Sequence, residues 1–534
     1  MKFKSVALVL ALIMVLMCGC QKTEQNTSSS SSSATSSVKE KDENEAKLNE
    51  ECEEKHISIA CSITDSFCPY SASTRLNREI GTLLYDSLVI LDNTFTPNKS
   101  LAEDIKISGS TVTVTIKDTV FTDGSSLTAD DVVYCARKAM KSGTRYDDAL
   151  KDVSSVSAAS SKTVVFKLKK QDPYFENQLD FPIYKRNSDK KISSDNIQIP
   201  PIGSGRYVMN KEKTVLKANS DFHGGKPRLE KIHLINTPDE DALSHNMEVG
   251  NINYYYSNLA DCELPSVRGG YKNVNLNNLV FLGANMHGGV MKNVNMRQVI
   301  SAALDRERIS EEAYYQNAIA ATGVFNPKWS KTGQEIITNE TKPNSNIYVA
   351  LLNEMGYNDK DNSGYYVNSD GNRLTVKIIY YKGNEWRTNA AKLIRAQLKT
   401  AGIKANLEAL SWKDYKNSLK KGYYDLYVGE VKLSNNMDIS ELVTKNGSLA
   451  YGIDYSGNSA SKKKKNFAGA TAAAVDKFYS GKGKLADITA AFSNELPIIP
   501  ICYRTGIVSH ALGITGATPT ISDVYNGIEN ITIK

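Results

Sequence analysis

Histidine and tryptophan are scarce in this chain of 534 residues, with six of the first and three of the second. The histidines, at His56, His223, His233, His245, His287 and His510, lack the spacing by which a helix offers two imidazoles to a metal. No P-loop, HExxH, GxSxG or EF-hand pattern occurs, so an enzymatic reading rests only on a Ser, His and Asp set assembling in space. A strong charge of one sign is also missing. Lys and Arg total 65 against 59 acids, or +6, which is no footprint for nucleic acid. Only Val6 to Met17 forms a long apolar run, and its 12 residues fall short of the roughly 20 that span a bilayer. A charged fraction of 23% and a mean hydropathy of −0.37 exclude both a multi-pass membrane protein and wholesale disorder. The eight cysteines show no CxxC or zinc spacing. Cys61, Cys135 and Cys502 sit in apolar runs and read as small hydrophobes, while a disulfide among Cys52, Cys61 and Cys68 is the alternative for that group. Tyrosine is abundant at 28, and its apolar ring with a hydrogen-bonding tip suits the lining of a wet cleft as well as a core.

The N-terminus carries an address. Lys2 and Lys4 precede the apolar run, as in a secretory signal. The segment Leu16-Met17-Cys18-Gly19-Cys20 then resembles the lipobox of bacterial lipoproteins, in which a thiol after a small residue is acylated. That resemblance makes Cys20 the lipidated residue, 1–19 the removed signal, and the outer face of the cytoplasmic membrane the location. Two acyl chains supply the anchoring that one cannot. From Gln21 to Lys55 a serine run and dense Lys and Glu cannot bury enough surface to fold, so 20–55 reads as lipidated cysteine and tether.

From His56 the pattern is mixed α/β. Val112, Val114 and Ile116 alternate as a strand, Asp123-Gly124 marks a turn, and Thr128 caps a helix with Asp130 and Asp131 in its first turn. Thr163 to Leu168 is a further strand, and Met296, Val299, Ile300, Ala303 and Leu304 share a helical face. Leu374 to Tyr380 reads as strand, Asn389 to Ala401 as helix, and Ile403 to Ala409 as an alternating strand. A short helix after Trp412 and a strand over Asp425 to Val431 follow. This β-α-β-α-β order builds an open doubly wound sheet, which binds ligands off the carboxyl ends of its strands. Length alone asks for about three or four domains.

Several blocks together resemble family 5 of the bacterial extracellular solute-binding proteins, the oligopeptide, dipeptide and nickel receptors of ABC importers. They are Leu101-Ala102-Glu103, Phe121-x-Asp123-Gly124 with Leu127-Thr128-Ala129-x-Asp131-Val132-Val133, Gly203-x-Gly205-x-Tyr207, Asn219 to Pro227, Arg297-Gln298 with Ala303-x-Asp305-Arg306, and Leu496 to Pro500. The resemblance implies a two-lobed periplasmic-binding-protein fold of the cluster C type, α/β, with an extra small domain and the cleft between the lobes. By position, domain I is 56–95, 196–280 and 505–534, domain II is 96–195, and domain III is 281–504. Hinge crossings fall near Val280 and Tyr503. The implied function is capture of peptides, most simply oligopeptides, by a monomer that closes on them and delivers them to a permease and its ATPase subunits. No cofactor is implied. A signalling lipoprotein, or the same fold with a nickel chelate, haem or oligosaccharide as cargo, remains the alternative.

The sequence departs from the family where an aspartate usually pairs with the peptide α-ammonium. The strand runs Tyr427-Val428-Gly429-Glu430-Val431-Lys432, with no acid at that place and with Glu430 and Asp438 as the nearest carboxylates. Either one of these substitutes or the ligand has no amine to anchor. Trp412, Trp386, Asn285, Tyr503 and Tyr427 are the further lining candidates that the resemblance implies, with core packing as the rival role for the tryptophans.

Overall fold

The computed structural model describes residues 56–533 apart from positions 195, 266, 268, 337 and 456–468. The signal segment, the acceptor Cys20, the tether and the run Lys462 to Lys465 therefore lie outside the described residues.

The chain opens with β1 (Ile57–Cys61), buried along its whole length, and then α1 (Arg75–Leu84), whose first turn is capped by Thr74. A second sheet follows. Its strands are β2 (Ala102–Ser108), β3 (Thr111–Ile116), β4 (Val153–Ser160) and β5 (Thr163–Leu168), ordered β2-β3-β5-β4 and all antiparallel. The alternation in β3 does what its pattern demands, burying Val112, Val114 and Ile116. Between β3 and β4 runs α2 (Ala129–Ala139). Asp131 Oδ2 reaches back to the Thr128 amide at 2.9 Å and its hydroxyl at 2.7 Å, closing a capping box. Oδ1 of the same carboxylate accepts the Arg186 amide at 3.0 Å, which ties the helix start to the segment leaving this sheet.

The chain returns through β6 (Tyr207–Met209), β7 (Val215–Ala218) and β8 (Lys231–Asn236). The last pairs parallel to β1, giving a sheet ordered β1-β8-β7-β6. The glycine motif ahead of β6 has a steric cause. A Cβ on Gly205 would lie 2.4 Å from the Leu84 carbonyl carbon and one on Gly203 2.0 Å from its oxygen. Only glycine lets this segment pass against the end of α1.

The remaining large sheet has seven strands, six of them in the order β9-β14-β10-β13-β11-β12, with the short strand Ala318–Ala320 against β14. Here β9 is Tyr254–Ser257 and β10 is Gly269–Ala284. Then come α3 (Val294–Ala302), β11 (Thr375–Tyr381), α4 (Glu385–Thr400), β12 (Lys404–Leu410), α5 (Trp412–Lys421), β13 (Leu426–Lys432) and β14 (Ile498–Ala511). β11 pairs parallel with both β12 and β13, which is the β-α-β-α-β unit. Two details differ from the sequence expectation. The helix starts at Glu385 because Asn384 caps it through the Arg387 amide at 2.9 Å. β12 forms the sheet edge, so its alternation buries little and Ala409 is exposed.

Two large apolar cores result. One gathers residues from Ile57 to Leu276 and again from Val508 to Ile531, and the other is built mainly from Leu279 to Ile507. The long antiparallel pair β10 and β14 passes from one to the other. The change of core falls between Leu276 and Leu279 on one strand and between Ile507 and Val508 on the other, beside a register break after Asn275. Among the described residues five thiols are free: Cys61, Cys68, Cys135 and Cys502 are buried, and Cys262 is half-buried. Burial pushes the Cys61 thiol up to about 12, so it packs as a hydrophobe.

Candidate functional site

Two of the motif blocks, the one around Arg297 and Arg306 and the one over Leu496 to Pro500, hold the second core together. Arg297 of α3 donates to the Glu495 and Leu496 carbonyls, and Arg306 Nε donates to the Pro500 carbonyl at 2.8 Å. The block around Arg297 and Arg306 thus docks on the segment opening β14. Burial lowers both guanidinium groups to about 10. Their partners are carbonyls and one hydroxyl, Ser301 Oγ.

Glu430 lies on β13, directly opposite Val280 of β10, whose other neighbour is Cys502 of β14. Its Oε1 is 2.9 Å from Arg504 Nη1 and 3.1 Å from Asn278 Nδ2, and its Oε2 is 3.2 Å from Arg387 Nε. Burial by itself would raise this carboxyl, but the two guanidinium groups outweigh it and hold the pKa below the usual range. Arg504 also lies 5.6 Å from the centre of the Trp386 ring and donates to the Asn258 carbonyl at 3.0 Å. Asp438 is likewise engaged, with Lys170 Nζ at 2.6 Å and the Ser440 amide at 2.8 Å. Both carboxylates that the sequence offers for a ligand amine therefore already hold cations of the chain itself.

The other candidates divide between core and surface. Tyr503 is fully buried, with its hydroxyl on the Val324 carbonyl at 2.5 Å. Tyr427 is buried among Phe281, Tyr415, Tyr424 and Tyr451, and it fills the space that Gly283 leaves. Trp386 is buried edge-on to Tyr314. The Asn285 amide braces the turn after α5 by donating to the Gly422 and Tyr424 carbonyls. Trp412 is half exposed, stacked on Tyr415, so core packing does not describe it.

A cavity of about 480 Å3 opens elsewhere. It is walled by α1 through Arg75, Arg78, Glu79 and Thr82, by the helical turn Arg145–Ala149 and Gln178, by Asn258, and by the end of β13 with Leu433, Ser434 and Asn435. Both cores contribute to it, and its size is in the range of small-ligand sites. Its ionisable lining comprises four cations (Arg75, Arg78, Arg145, Lys432) and two acids (Glu79, Asp148). Arg145 is committed to Asp180 at 2.8 Å, and Arg75 to the Tyr255 hydroxyl at 2.7 Å and the Tyr256 carbonyl at 2.5 Å. Arg78 donates to the Ser73 carbonyl at 2.9 Å. Burial raises the Glu79 carboxyl against the pull of Arg75 and Arg145, and burial together with Arg145 lowers the Lys432 ammonium. None of the seven ligand candidates named from sequence lines this cavity. A helix-face reading of α1 was the signal that could have found Glu79, because Arg75, Glu79 and Thr82 recur at helical spacing.

One Ser, His and Asp set does assemble, where Asp86 accepts from Ser100 Oγ at 2.8 Å and pairs with His223 Nε2 at 2.5 Å. The serine Oγ lies 3.5 Å from His223 Nε2, but that same nitrogen is taken by Asp86, and the serine's shorter bonds go to the carboxylate, which is not the arrangement that activates a nucleophile. Among the described residues no group of three or more His, Cys, Asp or Glu is placed to hold a metal, and no helix is long and apolar enough to cross a membrane.

Two cores joined by a crossing strand pair, with a polar cavity walled by both, define a two-lobed solute-binding fold. A profile described as bacterial extracellular solute-binding proteins, family 5 Middle, matches residues 96–446. The chain belongs to that family. It is 27% identical over 358 residues to the oligopeptide-binding protein AppA of Bacillus subtilis, covering 62% of this chain and 65% of that protein. It is 24% identical over 312 residues to the nickel-binding protein NikA of Staphylococcus aureus, covering 56% and 59%. The matched stretches thus span under two thirds of either relative. Among solved structures, the substrate-binding protein CtaP of Listeria monocytogenes is similar at a TM-score of 0.65 and 21% identity, over 90% of this chain and 99% of that one. AppA of Bacillus subtilis in complex with a nonapeptide is similar at 0.51 and 22%, over 89% and 99%. These likenesses bear on the fold.

Proposed function

We propose that this chain is the solute-capturing component of an ABC importer and that its cargo is a peptide. The observation that carries the reading is the polar cavity of about 480 Å3 walled by both cores, beside the strands that link them. Two lobes joined by β10 and β14 close on a ligand by bending at the crossing, which buries the ligand and commits it to delivery. AppA, which is oligopeptide-binding, supports the peptide class. In this reading domain II is the antiparallel sheet of 96–195, domain I is the β1 sheet with its returning segments, and domain III is the second core. Cys20 carries the lipid anchor at the outer face of the cytoplasmic membrane. The body works as a monomer with a permease and its ATPase subunits. Glu430 and Asp438 shape the region without contacting the cargo.

The nickel-binding relative makes a metal chelate the second reading, with a cavity whose lining holds no His or Cys. Mass spectrometry and metal analysis of whatever co-purifies with the protein separate the two. A co-purifying peptide mixture with no stoichiometric metal is the expected result. Stoichiometric nickel without peptide would overturn the reading.

A further inference from the structure

The charges in the cavity also say what group a bound peptide must bring, and this step rests on the reading just given. Of the four cations in its lining, three are already held: Arg145 by Asp180, Arg75 by Tyr255 and Tyr256, and Arg78 by backbone carbonyls. Lys432 is different. Among the described residues its ammonium makes no hydrogen bond or ion pair, yet it stands at the end of β13 within the cavity wall. The neighbouring protein displaces water from around it and Arg145 repels it, and both effects push the ammonium below its usual range. Glu79, Asp180 and Asp148 attract it, but none comes within ion-pair distance, so Lys432 is a cation that an incoming anion can still contact directly. A second group in the same wall is incomplete too. Gln178 is 2% exposed, and its Oε1 has no hydrogen-bond partner, so it lacks a donor such as a peptide N–H.

We propose that Lys432 seats a carboxylate of the bound peptide while Gln178 accepts one of its amide protons. The cavity therefore selects peptides that bring a free carboxylate, from the C-terminus or from an Asp or Glu side chain. A strand-end lysine merely solvated by bulk water would not need the ligand to be anionic, and this is the rival that the experiment must beat.

The purified protein is stripped of bound ligand and mixed with a degenerate tetrapeptide pool with free C-termini, and separately with the same pool amidated. Retained peptides are read by mass spectrometry, and representative ones are measured by calorimetry. A neutral peptide with a free C-terminus should bind at least tenfold tighter than its amide. If side-chain carboxylates serve instead, the peptides retained from the amidated pool should be enriched in Asp and Glu. Lys432→Met should reduce either preference to under threefold, and Lys432→Arg should keep it. Because the Lys432 ammonium makes no hydrogen bond or ion pair within the described residues, these variants break no contact of the ligand-free protein and should melt like the parent. Retention of neutral amides as tight as that of free acids overturns the inference and leaves the peptide reading standing. Retention of nothing from either pool overturns the peptide reading, and the inference falls with it.

Discussion

Lys170 and Asp438 meet across the two cores, Nζ to Oδ2 at 2.6 Å, the first just beyond β5 and the second just beyond β13. The lysine also lies 3.4 Å from Asp152 and 4.1 Å from the centre of the Tyr479 ring. Nearby, Asn436 donates to Asp172 at 2.7 Å and the Gln171 amide donates to the Tyr479 carbonyl at 3.1 Å. These contacts close one side of the molecule. Removing one partner of a fully buried pair costs about 3–5 kcal/mol. Lys170 is 28% exposed, so solvent screening cuts this to about 1–2 kcal/mol. Asp438→Asn should therefore shift the closed state toward open by about tenfold. Small-angle scattering of the ligand-free variant should show a larger radius of gyration than the parent, and an unchanged profile would count against a latch.

Asp172 adds a pH dependence to the same contact. Burial pushes its carboxyl from 3.8 to about 6, against the pull of Asn436 and the Tyr174 amide. A carboxyl raised on folding favours the protonated native form. Its stabilisation is present below pH 3.8 and is lost as pH rises through about 6. The loss is up to about 3 kcal/mol for roughly two units. Asp172→Asn removes this term, so the variant should gain on the parent as pH rises from 4 to 7. Melting midpoints of both proteins across that range measure the gap. A gap that stays constant sinks the idea.

The fold was largely legible because its cues are local and repeat. The alternation of β3, the capping box of Thr128 and Asp131, and the β-α-β-α-β run each follow from a period or a cap within a few residues. The site was less so, because its groups come together from distant segments. Nothing near Glu430 in the sequence announces Arg504, 74 positions on, which consumes its charge. Lys432 carries no signal of its own in the sequence, and only the packing of α1 and the turn at Arg145 places it in the cavity wall. Tyr503 and Tyr427 lie where the resemblance led, in the crossing strand and β13, but their rings turn into the core. A one-residue difference in which face a strand shows is invisible when both faces are buried, as they are in β14 up to Ser509.

The anchor is tested apart from the body. Cys20→Ser removes the thiol that a lipid would occupy and leaves the described residues unchanged. In the native host the variant should be either secreted or held unprocessed, while its melting curve and ligand binding match the parent. Fully processed Cys20→Ser protein that stays in the membrane would contradict the lipobox reading.

The final test concerns Glu430, where sequence and structure point to different roles. If its carboxylate anchored a ligand amine, Glu430→Gln would weaken the binding of free-amine peptides and spare the ligand-free protein. In the structure it instead neutralises Arg504 and Arg387 beside the strands that join the cores, with side-chain exposures of 9%, 6% and 21%. A glutamine there keeps one acceptor but leaves two guanidinium groups largely buried without a counter-charge. The cost is about 3 kcal/mol, within the range for breaking a buried pair. The ligand-free variant should therefore melt several degrees lower, by roughly 2–4 °C per kcal/mol for a large domain. N-acetylated and free-amine peptides should lose affinity alike. Arg504→Met should destabilise comparably, and the double variant with Glu430→Gln should cost less than the sum, because the pair is lost only once. A variant that melts like the parent and loses only free-amine peptides would return Glu430 to the ligand.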